Sequence, residues 1–430
     1  MADMTLSNAN MASDGRVLTT SDGVPLKKKL AQSMRVARMR AFMLTAPLVI
    51  FMLISFILPI GQMLLRSFDN DAFAKALPNV AEALKDWDPA SSEDGLPGED
   101  IFALLAADMA VARQERTIGR AATRVNYDLS GSRSLFMSAA RKAKRLEAPF
   151  KPAILELNNK WSNPDLWITM KRVSSNITPG FYLAALDRKL DNEGSVVLQP
   201  EQRQIYVKLF WRTLWLSLVI TVLCLLLAYP IAYLLSVLPL RTSNLLMILV
   251  LLPFWTSLLV RTTAWIALLQ TEGIVNDALV TLGIISDDSR VQMIYNQTGT
   301  IVAMTHILLP FMVLPLYSVM KTIPPSYMRA ARSLGATPFT AFRRVYFPQT
   351  IPGIAAGTLL VFIVAIGYYI TPALVGGQDG QLISNIIAFH MQSSLNWSLA
   401  AALGAILLFG ILALYWLYNK LVGIDNLKFG

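Results

Sequence analysis

Long apolar stretches alternate with polar stretches along most of the chain. A helix needs roughly 20 apolar residues to cross a bilayer. Six stretches have about this length, and they cover residues 41–65, 209–238, 244–269, 298–320, 350–372 and 398–421. Several contain proline, which spanning helices tolerate when neighbouring groups bond the freed carbonyls. The pattern predicts an all-α polytopic membrane protein with six transmembrane helices.

The polar stretches divide the chain further. Residues 1–34 are rich in Ser, Asp and Asn and predict a cytoplasmic disordered tail, which is followed by the first transmembrane helix at 35–68. Residues 69–206 contain no apolar run of membrane length and carry eighteen Lys or Arg and nineteen Asp or Glu. They predict a separate inserted domain. Residues 207–430 then form a core with five transmembrane helices.

The inserted domain (residues 69–206) contains apolar residues at helical spacing. One such stretch covers residues 100–122 and a second, basic one covers 132–146. Apolar residues three and four positions apart lie on one face of a helix. The inserted domain is therefore predicted to be mostly helical, and its length of about 138 residues is enough to bury a modest core.

Charge is distributed unevenly around the predicted spans. The chain is 54% hydrophobic and 15% charged, with a net charge of +10. If the N-terminus is cytoplasmic, the inside segments carry fifteen Lys or Arg and four Asp or Glu, whereas the short outside loops carry five acids and one Arg. This follows the positive-inside rule. It predicts a membrane protein with both termini cytoplasmic and residues 69–206 outside, in contact with membrane lipid and not with nucleic acid.

The sequence offers little chemistry of its own. Its one cysteine, Cys224, lies in an apolar run, and His306 and His390 are far apart, so neither a disulfide framework nor a metal site is expected. No phosphate-binding GxxxxGK[ST] motif is present. We find no nucleophile–base set. The chain is therefore predicted to be non-catalytic, with no bound cofactor, and active transport would need a partner subunit or an ion gradient.

Residues 322–350 form a polar, basic segment between the fourth and fifth apolar stretches. They predict two short helices with a turn between them, at 326–334 and 337–347. Ser326 and Thr337 are the expected N-caps, because their hydroxyls can accept a bond from an unpaired backbone N–H. Gly enters the left-handed conformation cheaply, so Gly335 is expected to end the first helix. Pro348 is expected to stop the second.

This segment resembles the cytoplasmic EAA loop of ABC importer permeases. The family pattern is Glu-Ala-Ala, three residues, Gly, nine residues, then Ile-x-Leu-Pro, and every spacing holds here. Arg329 stands where the family usually has Glu. The resemblance implies that an ATPase subunit docks on this loop. The residues expected to couple to it are Arg329, Ala330, Ala331, Gly335, Pro338, Arg343, Arg344, Val345, Phe347 and Pro348.

The resemblance extends from about residue 207 to the end of the chain. LLPFWTSLLVRTTAW and ILLPFMVLPLYSVMKTIP are similar to the permeases of spermidine/putrescine-type importers. This implies a type I ABC importer with two ATPase subunits that bind ATP and Mg²⁺, a second and different permease subunit, and a periplasmic solute-binding protein. It also implies a location in the bacterial inner membrane, with residues 69–206 in the periplasm. Two further features differ from the permeases of this family. AIGYYITPALVGG contains no carboxylate, and the inserted domain is larger than the family's first loop.

Two polar clusters within the predicted spans are candidates for the substrate pathway. A charged residue at membrane depth usually faces a bundle interior or a water cavity, and aromatic faces can hold an organic cation. The candidates are Trp255, Thr256, Ser257 and Arg261 in the third span and Tyr368, Tyr369 and Thr371 in the fifth. The alternatives are that Arg261 reaches the outer headgroups and that the aromatic residues anchor the membrane boundary.

The sequence therefore predicts the permease subunit of an ATP-driven importer for a small polar or cationic, polyamine-like solute. An opine-like or amino-acid-like solute is an alternative. A membrane-anchored receptor or scaffold that acts through residues 69–206 is another, but it leaves five further spans unexplained. An ion-driven secondary transporter would need acidic residues within the membrane, and the later spans have none in their middle.

Overall fold

The structure is a computed structural model that describes residues 26–92, 94–191 and 193–422. Of the tail predicted at residues 1–34, the part up to residue 25 lies outside the described residues. The remaining part is helical, because a helix begins at Leu26. The chain divides into two compact units, with the boundary between Leu65 and Arg66.

The first unit contains one long helical segment. It consists of α1 (Leu26–Met52), a wide turn (Leu53–Ile57) and α2 (Leu58–Arg66). In the wide turn the N–H of Leu58 bonds to the carbonyl of Leu53, five residues back instead of four. Pro59 follows directly and has no N–H to donate. The part from Ser33 to Arg66 is long and apolar enough to cross a membrane.

The inserted domain is mostly helical, as expected, with one small hairpin of strands. Its elements are α3 (Ala72–Ala76), α4 (Pro78–Asp86), α5 (Glu99–Gln114), α6 (Ile118–Asp128), α7 (Ser132–Lys142), α8 (Phe150–Leu157), α9 (Pro164–Val173), α10 (Gly180–Ala185), β1 (Arg188–Leu190) and β2 (Val196–Leu198). The strands pair antiparallel, with Lys189 opposite Val197. The helix predicted over 100–122 is two helices, and Arg116 between them has a positive φ of 60°.

Large aromatic residues fill the centre of the inserted domain. Phe73, Phe102, Phe136, Trp161 and Trp167 are completely buried. The ring centroids of Phe102 and Trp167 lie 4.6 Å apart, and those of Phe136 and Trp161 lie 5.2 Å apart. The indole N–H of Trp167 donates to the carbonyl of Trp161 at 2.9 Å. The inserted domain therefore has a core of its own.

The rest of the chain forms the membrane part. Its helices are α11 (Tyr206–Val237), α12 (Leu240–Trp255), α13 (Leu258–Leu269), α14 (Ile274–Thr281), α15 (Gln297–Thr322), α16 (Pro325–Ser333), α17 (Pro338–Ala341), α18 (Phe347–Gly367), α19 (Ile370–Val375), α20 (Ile383–Gln392) and α21 (Trp397–Val422). In the described chain five helical segments are long and apolar enough to span a membrane. A bent pair, α12 with α13, raises the number to six if it counts as one span.

The prediction of a single helix over 244–269 is wrong. α12 ends at Trp255, α13 begins at Leu258, and the segment Leu258–Thr281, which contains α13 and α14, runs at 97° to α12. Both linking residues, Thr256 and Ser257, have extended backbones. The hydroxyl of Thr256 donates to the carbonyl of Pro253 at 2.9 Å. The N–H of Thr256 bonds to the same carbonyl at 3.3 Å, so the backbone and the side chain of Thr256 together close the end of α12.

Pro348 does not stop the second helix of the basic segment, so that prediction is also wrong. α17, a wide turn (Phe342–Tyr346) and α18 form one helical segment from Pro338 to Gly367. The fifth span therefore begins well before residue 350 and ends before 372. The N–H of Phe347 bonds to the carbonyl of Phe342, five residues back. As in the first unit, one residue separates the wide turn from a proline, whose ring would clash with a regular preceding turn.

Small residues allow α11, α15 and α18 to pack closely. Ala228 and Ala232 of α11 are completely buried. A Cβ atom added to Gly357 of α18 would lie 2.7 Å from the sulfur of Met312 in α15, and one added to Gly353 would lie 3.1 Å from the Cβ of Val319. Small residues at helix interfaces are typical of membrane bundles, because they let the backbones approach.

Candidate functional site

The basic hairpin (residues 325–347) turns at Gly335, which has a positive φ of 85°. The N–H of Gly335 bonds to the carbonyl of Arg332 at 3.0 Å, and the N–H of Ala336 bonds to the carbonyl of Ala331 at 3.1 Å. This pair of bonds is the Schellman arrangement, in which a left-handed residue closes a helix. The predicted end of the first hairpin helix is confirmed.

The two predicted N-caps have different outcomes. The hydroxyl of Thr337 accepts the N–H of Thr340 at 3.2 Å, and Pro338 occupies the first helical position, as predicted. Ser326 is not an N-cap, because α16 begins one residue earlier at Pro325 and Pro324 precedes it without a side-chain bond. A proline suits the first turn of a helix because the missing N–H would have no partner there.

The hairpin exposes both cationic and apolar side chains. Among the predicted coupling residues, Ala331 and Val345 are half-buried, and those exposed are Arg329, Ala330, Gly335, Pro338, Arg343, Arg344, Phe347 and Pro348. Leu334 and Phe339, which sequence reasoning did not select, are 89% and 71% exposed at the turn. Arg329 forms no ion pair within the described part of the chain. The turn therefore combines an apolar tip with positive charge.

The inner face of the hairpin packs against α11 through aromatic rings. Tyr233 meets the ring of Tyr346 edge-on at 5.4 Å, and Tyr229 meets Phe342 edge-on at 6.3 Å. Edge-to-face contacts at such distances are favourable aromatic geometries. The hydroxyls of Tyr229 and Thr350 lie 3.2 Å apart. The hairpin is thus held to two spans, to one by chain continuity and to the other by ring packing.

The first pathway cluster lies at the bend between α12 and α13. Trp255 is 75% exposed, and Thr256 and Ser257 form the extended link. The guanidinium of Arg261 donates from Nη2 to the carbonyl of Thr256 at 3.0 Å, while its Nε is buried without a hydrogen-bond partner in the described chain. The guanidinium of Arg261 therefore points back toward the bend between α12 and α13.

The second pathway cluster lies where α18 gives way to α19. The carbonyls of Tyr368 and Tyr369 accept bonds from the side chains of Ser384 and Asn385 of α20, both at 2.7 Å, and the carbonyl of Tyr369 also accepts the N–H of Ala373 at 3.0 Å. Non-helical backbone at membrane depth occurs where it is buried in protein or lines a water-filled cavity. Thr371 is completely buried. Its hydroxyl therefore serves packing between helices.

The structure brings the two clusters together. The hydroxyls of Thr262 on α13 and Thr371 on α19 lie 3.4 Å apart. Sequence reasoning missed Thr262 and treated His306 as an ordinary polar residue, although His306 accepts the indole N–H of Trp265 at 3.2 Å. Thr262 and His306 are polar residues inside long apolar stretches, and this placement is the one feature of the sequence that could have selected them.

Apolar spans, two broken helices that meet within them and an exposed basic hairpin continuous with one span together define a transport permease subunit. Residues 214–422 match the sequence profile of the family described as binding-protein-dependent transport system inner membrane component. The chain is 36% identical over 221 residues to the spermidine/putrescine transport system permease protein PotB of Haemophilus influenzae, a match that covers 51% of this chain and 77% of that protein. The chain belongs to this family of ABC importer permeases.

Other proteins are similar over the same region. PotB of Escherichia coli K12 is also 36% identical over 221 residues, which cover 80% of its length. A crystal structure of a bacterial ABC transporter for alginate aligns with a TM-score of 0.41 and 19% identity, covering 54% of this chain and 81% of that one. Family membership makes the chain a non-catalytic permease subunit in the inner membrane. It selects this class over a secondary transporter or a membrane-anchored scaffold.

Proposed function

We propose that this permease subunit couples ATP hydrolysis on partner ATPase subunits to solute passage through the basic hairpin. The observation that carries the proposal is the continuity of the hairpin with the fifth span, from Pro338 to Gly367. A displacement applied at Phe339, which lies within this continuous segment, reaches the membrane without crossing the turn at Gly335. The exposed apolar tip is suited to fill a pocket in a partner, where buried apolar anchors supply most of the binding energy.

The proposed assembly follows the family resemblance. Two ATPase subunits, which bind ATP and Mg²⁺, dock on the hairpins of this chain and of a second, different permease subunit. A periplasmic solute-binding protein delivers the solute. Both termini of this chain are cytoplasmic, and residues 69–206 are periplasmic. The excess of Lys and Arg in the inside segments supports this orientation.

Gly335 offers a sharp test of the hairpin. A valine at φ 85° is strongly disfavoured, so Gly335→Val should distort the turn, although a Cβ there would meet nothing within 4 Å. Asparagine adopts the left-handed conformation more readily, which makes Gly335→Asn the matched control. We expect the ATPase subunits to co-purify with the Asn variant and to be lost from the Val variant. Normal uptake and co-purification with Val would contradict docking at the hairpin.

The first candidate solute is a polyamine-like cation, because the PotB relatives are named for spermidine and putrescine. The pathway then runs past Trp255, Tyr368 and Tyr369, whose ring faces can attract ammonium groups. Within the described helices from α11 onward, however, this subunit has no Asp or Glu apart from Asp277 in α14. A polycation would need carboxylates from the partner permease to offset its lost hydration.

An opine-like or amino-acid-like solute is the second candidate. Arg261 favours it, since a guanidinium pairs well with a carboxylate. The two candidates separate in a calorimetric titration of the cognate solute-binding protein with spermidine, putrescine and a panel of amino acids and opines. Tight binding of spermidine or putrescine alone would eliminate the second candidate, and tight binding of a carboxylate-bearing compound alone would eliminate the first.

A further inference from the structure

The N-terminus of α11 is fastened to the inserted domain by one buried side chain. The Asp187 carboxylate accepts the N–H groups of Ile205, Tyr206 and Val207 at 3.1, 3.0 and 2.9 Å. Asp187 is only 4% exposed and has a positive φ of 56°. A carboxylate at this position satisfies unpaired N–H groups and also complements the helix dipole. The contact is thus built into the start of the span.

Further contacts make this junction a continuous packed unit. The carbonyl of Asp187 accepts the N–H of Gln199, the residue that follows β2. Arg203 donates to the carbonyl of Tyr127 at the end of α6, at 2.8 Å. Phe181 of α10 packs in one buried cluster with Leu209 of α11 and with residues of α20 and α21. The first turns of α11 therefore belong to the inserted domain as much as to the membrane part.

The opposite end of α11 contacts the basic hairpin. Tyr233 lies in the last two turns of α11 and packs edge-on against Phe342 and Tyr346. The ammonium of Lys321, near the end of α15, donates to the carbonyl of Ser236 at 3.1 Å. α11 has 32 residues, which correspond to about 48 Å at 1.5 Å per residue. One helix thus touches both the inserted domain and the hairpin.

We propose that α11 is the mechanical link between the inserted domain and the hairpin, through which a solute-loaded binding protein on the periplasmic side stimulates the ATPase subunits. α11, which contains Pro230, is one uninterrupted helix, as are α15 and α21, whereas α12 with α13, and α18 with α19, are interrupted by breaks. The contacts of α11 with both the inserted domain and the hairpin select it as the link. Asp187 fixes one end of the link and Tyr233 the other. Both are positioning residues, and the inference rests on the proposed coupling function.

The test uses the whole transporter in lipid nanodiscs with its solute-loaded binding protein. Asp187→Ala and Tyr233→Ala should each lower the stimulation of ATP hydrolysis by the binding protein at least about fivefold, the effect of losing a modest coupling between sites. Basal hydrolysis, ATPase co-purification and binding-protein affinity should stay at the parent's values in Asp187→Ala. Tyr233 contacts the hairpin itself, so for Tyr233→Ala the stimulation is measured as the ratio of stimulated to basal hydrolysis in complexes that retain the ATPase subunits. Tyr233→Phe keeps the ring contacts and should keep the stimulation. Asp191→Ala, which removes an exposed-loop acceptor of the Glu193 N–H, should keep it too.

A double variant sharpens the result. If both residues act through the same helix, Asp187→Ala with Tyr233→Ala should be no worse than the worse single variant, whereas additive losses indicate independent effects and would overturn the link. Full stimulation in both single variants overturns it as well, and so does a loss of binding-protein affinity in Asp187→Ala.

Two substitute variants keep the test interpretable if a first variant assembles poorly. If Asp187→Ala assembles poorly, Asp187→Asn, which keeps one acceptor oxygen, should show a smaller loss of stimulation in a normally assembled complex, and full stimulation there contradicts the link. If Tyr233→Ala assembles poorly, Tyr233→Leu takes its place with the same expectation. Failure of the coupling function itself looks different, because then the parent complex lacks the ATPase subunits or is not stimulated at all.

Discussion

The inserted domain and the membrane bundle solve the same packing problem with different residues. The inserted domain packs four aromatic rings at its centre, those of Phe102, Phe136, Trp161 and Trp167. The bundle packs aliphatic side chains of α11 and α15 instead, and it has glycines where α18 approaches α15. In water, burying large apolar surfaces drives folding. In lipid that driving force is absent between helices, so close backbone approach and interhelical hydrogen bonds take its place. We therefore expect the inserted domain to depend on its large rings and the bundle to depend on the close approach at Gly353 and Gly357.

The largest expected effect comes from removing a ring of the inserted domain. Trp167→Ala should destabilise it by about 3–5 kcal/mol, because the change leaves a cavity in a packed core. It also frees the carbonyl of Trp161. Limited proteolysis and thermal unfolding of the full transporter would show the loss. Trp215→Ala is the matched control, since Trp215 is largely exposed on α11, and equal losses in both would erase the contrast between the regions.

A smaller loss is expected when the close approach in the bundle is blocked. Gly357→Leu should cost about 1–3 kcal/mol, the usual effect of overpacking, since the new side chain meets Met312. Gly410→Leu in α21 is the control, because nothing lies within 4 Å of a Cβ at that position. The thermal midpoint of the detergent-purified protein measures both. An unchanged thermal midpoint in Gly357→Leu would show that the bundle does not depend on close packing at this position.

Acidification tests the seam between the two regions. His390 of α20 bonds to the hydroxyls of Tyr206 at 3.0 Å and Ser394 at 2.8 Å, and burial lowers the pKa of His390 to about 4. Between the unfolded value of about 6.5 and this value, the unfolded chain binds the proton and the folded chain does not. Stability should therefore fall as the pH drops through that window. His390→Gln should flatten the fall in the thermal midpoint, and an unchanged pH profile would contradict the assignment.

The smallest effect concerns a hydrogen bond inside the membrane. Thr371→Val removes the contact with the hydroxyl of Thr262 and should cost only about 0.6 kcal/mol, the average for such bonds in a bilayer. The shape of the side chain is nearly kept, so packing is little disturbed. Chemical unfolding in mixed micelles can detect the change. A loss comparable to that of Gly357→Leu would mean that hydrogen bonding ranks with close packing in this bundle.

The sequence predicts what depends on neighbouring residues in the chain. The spans follow from apolar length, and the turn of the hairpin follows from Gly335 and Thr337, whose effects are confined to a few residues. The bend after Trp255 and the continuation through Pro348 were not predictable in this way. Whether a proline ends, bends or passes through a helix depends on which groups accept the freed bonds, and the tertiary structure decides that.

The candidate site shows the same difference between local features, which the sequence predicts, and tertiary contacts, which it does not. Periodicity identifies the hairpin, but its contact with Tyr229 and Tyr233 requires knowing that α11 ends beside it. Likewise, the pairing of Thr262 with Thr371 joins residues 109 positions apart. The polar character of each residue was visible in the sequence, whereas their proximity was not.

The wide turn at Phe342–Tyr346 also affects how the chain tolerates changes in length. One extra residue in a helical turn rotates everything beyond it by about 100° relative to a regular helix. The turn therefore sets the angle at which the hairpin projects from the fifth span. Deleting a single residue here would leave a straight α-helix of nearly the same length and apolar content, but its exposed tip would face a different direction. Alignments of related chains should accordingly treat a one-residue gap at this turn as a change of docking angle.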